Sequence, residues 1–200
     1  MSDFLDEEVP PVNPLSMTII EEIARCFLSQ FSPDALIKPQ PLDIVDLVEN
    51  KLPDYGIHVT PASREELGDR AGVTDPSGNE EINILVSEEI WDSLFESVPT
   101  NYFSKTTICH ELGHAILHVP VLRRRLLHEK VLSFVKRRNI RAYEDPEWQA
   151  WAFAGSILMP SVTLRMLQSA SDSETFIETV HETYEISYQM TRSHLKRLKW

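Results

Sequence analysis

Two hundred residues, 42% apolar and 25% charged, suffice for one globular domain with a real core. No apolar run approaches the roughly 18 residues of a membrane helix, and the acidic, proline-rich start MSDFLDEEVPPVNP reads as neither a signal nor a transit peptide, so a cytoplasmic protein is expected. The net charge of −12 is uneven, with 5 basic against 21 acidic residues in 1–100 and 14 against 10 in 101–200, which argues against general nucleic-acid binding.

Residues 1–14, acidic and rich in proline, predict a disordered arm. From Ser16 the apolar positions Ile19, Ile20, Ile23, Cys26, Phe27 and Phe31 recur at helical spacing up to Ser32-Pro33. Pro41-Leu42-Asp43 opens a second helix that Pro53 stops. Residues 56–60 read as a short strand, and 61–80, rich in Gly, Pro, Asp and Ser, as loop or irregular hairpin. Residues 82–86 (INILV) make the best strand signal in the chain, followed by a helix that Ser87 caps.

A helix over 104–118 carries CHELGHAILH. The basic stretch 123–141 follows as helix or loop. Asp145 as N-cap with Pro146 at the first helical position starts a helix that Pro160 closes. Ser161 opens another helix, and 173–184 and 187–199 form two more. Helices, a few strands, then helices only predict an α+β fold with a small antiparallel sheet. The organisation expected is a disordered acidic arm over 1–14, a main domain over 15–160, and a helical extension over 161–200 that is helix-turn-helix-like and packs on the same domain. Cys26 and Cys109 make neither a disulfide framework nor a CxxC knuckle, and are expected to be reduced, buried thiols. The alternative reading of Cys26 or Cys109 is a cysteine that blocks or senses a metal site.

His110-Glu111-Leu112-Gly113-His114 is an H-E-x-x-H pattern. Histidines at i and i+4 lie one above the other on a helix face, so both imidazoles can reach one tetrahedral zinc. Glu111 points about 100° round the helix, where it can take a proton from the attacking water and return it to a leaving amine. Gly113 clears a position where another element can pack closely. His118 lies about 12 Å along the axis from His110, too far to share its ion, and is expected to orient a neighbour or cap the helix. A third protein ligand is required, and the candidates are His128, Glu129, Glu144, Asp145, Glu147 and His181. Glu147 is the best of them, because Ala150 and Ala154 on its stripe let its helix approach the motif helix. Glu144 and Asp145 have a competing use at that helix's N-terminus.

HELGHAILH, followed some thirty residues later by EDPEWQAWAFAGSILMP, resembles the ImmA/IrrE family of zinc metallopeptidases. Its members typically show HELGH-x-x-x-H and a second helix like E-x-x-A-N-x-F-A-x-x-L-L-M-P. The resemblance covers roughly residues 40–200. It implies a zincin-like domain with one Zn2+ on His110, His114 and Glu147 and with Glu111 catalytic. It also implies that strand 82–86 is the edge strand that pairs with substrate through Asn83, Ile84 and Leu85. Tyr143 is a candidate oxyanion donor. Trp151 stands where the family usually has Asn or Asp, so a polar partner for a ligand can be missing there. The family implies a regulatory protease in the cytoplasm, cutting a helix-turn-helix repressor encoded nearby in stress, phage-defence or mobile-element regulation.

Two rival readings remain open in the sequence. The last helix pair, ending in His194, Lys196, Arg197 and Lys199, has helix-turn-helix spacing and suggests DNA binding, against a favoured reading as core-packing helices. The chain can also be a metal-containing regulatory module without proteolytic activity. The basic stretch around Arg123, Arg124 and Arg125 reads either as a helix packed by its apolar face or as a docking surface for an acidic partner.

Overall fold

The computed structural model describes residues 8–10, 12–77, 80–96, 102–129, 135–170 and 175–200. A short β1 (Glu8–Val9) precedes α1 (Met17–Phe31), capped by the Ser16 hydroxyl. α2 (Ile44–Asp46) starts on the Asp43 cap and continues as a π turn over Leu47–Lys51. There follow β2 (Ile57–Ala62), α3 (Arg64–Leu67), β3 (Gly72–Asp75), β4 (Ile82–Ser87) and α4 (Glu88–Leu94). The rest is α5 (Tyr102–Leu117), α6 (Val119–Glu129), β5 (Val135–Lys136), α7 (Pro146–Leu158), α8 (Ser161–Ala170), α9 (Phe176–Tyr184) and α10 (Tyr188–Leu198).

The α+β reading holds, with two corrections to the sheet. Its order is β2-β4-β3, and it is mixed: β2 runs parallel to β4 and β3 antiparallel. Residues 61–80, read as loop or irregular hairpin, supply the strand β3, which pairs antiparallel with β4. After β2 the chain crosses through the capping-box turn of α3 and lays β3 on the far side, and β4 returns between the two. Strand 82–87 is therefore central, with Ile84 and Val86 fully buried. The edge position expected for Asn83, Ile84 and Leu85 belongs to β3.

The core lies between the sheet, α1, α5 and α7. α1 turns Ile20, Ala24, Phe27, Leu28 and Phe31 inward, and Phe27 meets the Phe153 ring edge-on at 5.7 Å. The buried face is rotated from the expected one, leaving Ile19 and Cys26 outside. Cys109 is fully buried, and burial pushes its thiol far up from the ordinary range, so it is an inert packing group. α8, α9 and α10 feed the same core through Leu164, Val180, Tyr184, Ile186 and Leu195. The N-terminal segment is docked from Glu8 onward: β1 pairs antiparallel with β5, and Val9 and Val12 are buried. Residues 1–7 of the expected arm lie outside the described residues.

α5 and α7 meet at Gly113. A Cβ there would stand 2.8 Å from Ala150 Cα and 2.9 Å from its carbonyl oxygen, and backbone on a packed helix cannot yield. Gly113→Ala is expected to lower the unfolding free energy of the metal-free chain by about 1–3 kcal/mol, the usual cost of overpacking. Urea denaturation measures it, and an unchanged midpoint would contradict the close approach.

Candidate metal centre

That approach brings three ligand groups together. His110 and His114 lie one turn apart on α5, and Glu147 sits in the first turn of α7. Glu147's backbone N–H donates to the Asp145 cap at 3.0 Å, and Arg137 holds the other Asp145 oxygen at 2.7 Å. His110 Nε2 is 3.2 Å from Glu147 Oε2, His114 Nε2 is 3.2 Å from Oε1, and the two Nε2 atoms are 3.1 Å apart. One atom from each of the three residues can be chosen so that all lie within 4.8 Å of one another. Ligands on a tetrahedral zinc, each about 2.0–2.1 Å from the ion, stand roughly 3.3 Å apart. The donor set and its spacing fit that ion.

The electrostatics favour a cation at the same place. Desolvation alone would lower the His114 pKa, yet Glu147, by hydrogen bond and charge, with Glu111 and Asp145 beyond, leaves it raised. Burial would raise the Glu147 pKa, but hydrogen bonds and charge from both histidines hold it well below the usual carboxylate range. Positive charge between these groups is stabilised.

A buried network sets the tautomer of His114. Gln149 is fully buried, and its Nε2 donates to the carbonyls of Asn13 at 2.9 Å and Tyr143 at 2.7 Å. Those contacts fix the amide, so Oε1 faces His118 Nε2 at 3.0 Å. An amide oxygen only accepts, so His118 carries its proton on Nε2. Burial, with the neighbouring His114 charge, pushes the His118 pKa down to about 3 and keeps the ring neutral. Its bare Nδ1 then accepts from His114 Nδ1 at 3.0 Å, which leaves the lone pair of His114 Nε2 directed at the cluster. His118 thus orients its neighbour, as its spacing suggested.

His110 has no such support. Its Nδ1 is buried without a hydrogen-bond partner among the described residues. The Trp151 ring lies against it at 4.2 Å between centroids, tilted by 38°. Among the described residues the polar partner that Trp151 put in question is absent, and aromatic packing holds the ring instead.

Glu111, 7% exposed, lies against the edge strand β3. The Thr74 hydroxyl stands 2.8 Å from Glu111 Oε2 and 2.9 Å from its backbone carbonyl. One hydroxyl proton can serve either acceptor. Gly72 clears the space for this side chain, since a Cβ there would come 2.9 Å from Glu111 Cγ.

Other expected residues fall elsewhere. The Tyr143 hydroxyl accepts from Arg141 Nη1 at 2.6 Å on the surface. What Tyr143 gives the site is its carbonyl, which holds Gln149. Glu144 closes a turn by accepting from Arg141 N at 2.9 Å, and His181 bonds the Ile186 carbonyl on the α9–α10 turn. The side chains of His128 and Glu129 lie outside the described residues. Arg123 donates to the carbonyls of Pro76 and Glu81, tying α6 to the β3–β4 connection, so it clamps the sheet rather than offering a free docking cation. Sequence reasoning missed Gly72, Thr74 and Gln149. The signal for Gln149 was its place as a neutral polar residue in the apolar run of α7; GVTD, with its β-branched pair, hinted at a strand.

Among curated proteins none matches the chain. Residues 103–196 match the family model of the IrrE N-terminal-like domain, a peptidase family. That span includes the three clustered residues, Glu111 and the His118–Gln149 pair, and it runs across the division expected at residue 160. This match supports the likeness of residues 103–196 to the ImmA/IrrE family of metallopeptidases.

Proposed function

We propose that the chain is a zinc metalloendopeptidase that hydrolyses a peptide bond in a specific protein. One observation carries the reading: His110, His114 and Glu147 converge at zinc-ligand spacing with the Glu111 carboxylate on the next face of the same helix. When bound, zinc supplies a Lewis acid that lowers the pKa of a water and polarises a carbonyl. The chain's own residues do the rest. Gln149 and His118 present the His114 lone pair, and Asp145 anchors the turn that carries Glu147. Glu111 takes the proton of the attacking water and returns it to the leaving amine. While Glu111 does so, Thr74 can keep its bond to the Glu111 carbonyl and hold the helix against β3. The free side of β3 is the edge on which an extended peptide can pair by main-chain hydrogen bonds.

The resemblance supports a helix-turn-helix repressor or antitoxin-like protein as the substrate, in the cytoplasm, with cutting as a switch in stress, phage-defence or mobile-element regulation. The rival DNA-binding reading draws no support from the last helix pair, whose Val180, Tyr184, Met190 and Leu195 are buried in the core.

Elemental analysis should give about one zinc per chain for the wild type and little for Glu147→Ala. Glu111→Gln should keep the zinc and lose about 10²–10⁴-fold in cleavage, the span of general acid–base catalysis. Cleavage is read as new N-termini in a cell lysate incubated with either chain; equal cleavage by the Gln variant would sink the mechanism.

Removing the relay should be felt at the metal. Gln149→Leu is expected to weaken zinc binding by about 10–100-fold in a chelator competition, with Glu111 untouched. Wild-type affinity in a folded Gln149→Leu chain would show that the tautomer chain is idle.

A further inference from the structure

A groove of about 700 Å³ opens between α5, α7 and α10 beside the cluster, within the ~300–1,000 Å³ common for ligand pockets. Phe103, Thr106, Trp151, Met190, Ser193 and Arg197 line it. Trp151 is the shared wall, because the same side chain that borders the groove packs on the His110 ring. Thr106 lies one turn before His110 on α5, so the groove runs along the ligand helices away from the metal position.

Its lining is apolar and neutral apart from Arg197, the one charged lining residue among those described. Arg197 Nη1 is buried and has no hydrogen-bond partner among the described residues, and burial lowers the Arg197 pKa. Leaving one guanidinium nitrogen buried without an acceptor is unfavourable for the fold, and the half-buried Arg197 side chain is the cationic part of the groove wall. A carboxylate entering the groove would meet the accessible side of this one cationic side chain, with the aliphatic part of the same acidic residue against Trp151 and Met190.

We infer that this groove holds the part of the substrate chain next to the bond to be cut, and that Arg197 there selects an acidic side chain flanked by an apolar or aromatic one. The inference rests on the peptidase reading for what the groove is for, and on the groove itself for what it binds. Arg197 is a specificity residue, and the substrate class is a protein with an acidic–apolar segment within a few residues of its cleavage point.

The test separates binding from chemistry. The full zinc-loaded chain with Glu111→Gln is panned against a random peptide library displayed on phage, with residue 197 as Arg, Lys, Met or Glu. With Arg or Lys, recovered peptides should favour Asp or Glu beside an apolar residue by about tenfold or more, the scale of a charge-assisted hydrogen bond. Arg197→Met should lose that preference while melting no lower than its parent, because a guanidinium with a buried, unsatisfied nitrogen has been removed. Arg197→Glu should turn the preference towards Lys and Arg. The same consensus from Arg and Met chains would overturn the inference, as would no recovered peptide or a lowered melting temperature in Arg197→Met. Recovered peptides are then offered to the chain with Glu111 intact. Acidic selection without any cleavage would defeat the peptidase reading and leave the groove standing; cleavage without acidic selection would do the reverse.

Discussion

The metal centre depends on two helix backbones coming close enough to touch. Gly113 on α5 faces the Ala150 backbone on α7 at a distance that no side chain at residue 113 would permit. Everything chemical follows from that contact. His110 and His114 straddle Gly113 on one helix, and Glu147 precedes Ala150 by one turn on the other, so closing the helices sets the ligand atoms just over 3 Å apart. A wider crossing would leave the same three residues as unrelated surface groups. Gly155, one turn and a half further along α7, makes a second close approach of the same kind to the His194 ring, which seats α10 and thereby shapes the groove.

The two histidines are held by different physics. His114 is fixed by directional bonds that end on backbone carbonyls, and carbonyls do not change protonation or flip. Its tautomer is thus determined by the fold itself. His110 is held by the flat face of Trp151, which fixes the ring plane but leaves Nδ1 free of any bond among the described residues. Packing can exclude water and orient a ring, yet it does not polarise it as a hydrogen bond would. The centre has one strongly tuned and one weakly tuned imidazole, and the weakly tuned one rests on the Trp151 ring that walls the groove.

Much of this was legible in the sequence because the informative signals are local. H-E-x-x-H states a helix face, Asp145-Pro146 states a helix start, and the alanine stripe behind Glu147 states close packing. Each survives without knowing what lies across the core. What was not legible depends on partners distant in the chain. Strand 82–87 looks like an edge or a centre alike in sequence, and only the placement of Gly72–Asp75 on its other side decides the matter. Thr74 meets Glu111 across 37 residues and Gln149 meets Asn13 across 136; no spacing rule reaches so far. Cys26 was misplaced for a smaller reason: the apolar stripe of α1 is broad, and Ala24 and Leu28 rather than Cys26 take its inner line.

The Asn13 contact ties the centre to the beginning of the described chain. The segment around β1 is seated by a two-residue pairing with β5 and by Leu15 donating to the Tyr143 carbonyl at 2.9 Å. Tyr143 therefore gives one carbonyl to both Leu15 and Gln149, and Gln149 gives its amide to both Tyr143 and Asn13. These bonds share atoms, so loss of the N-terminal segment would not remove a single contact at the periphery. It would leave a buried amide hydrogen without an acceptor and free the Gln149 side chain to turn, and with it the proton positions on His118 and His114. The docked segment is on this argument part of the metal site's outer support, although none of its side chains lies in the ligand cluster.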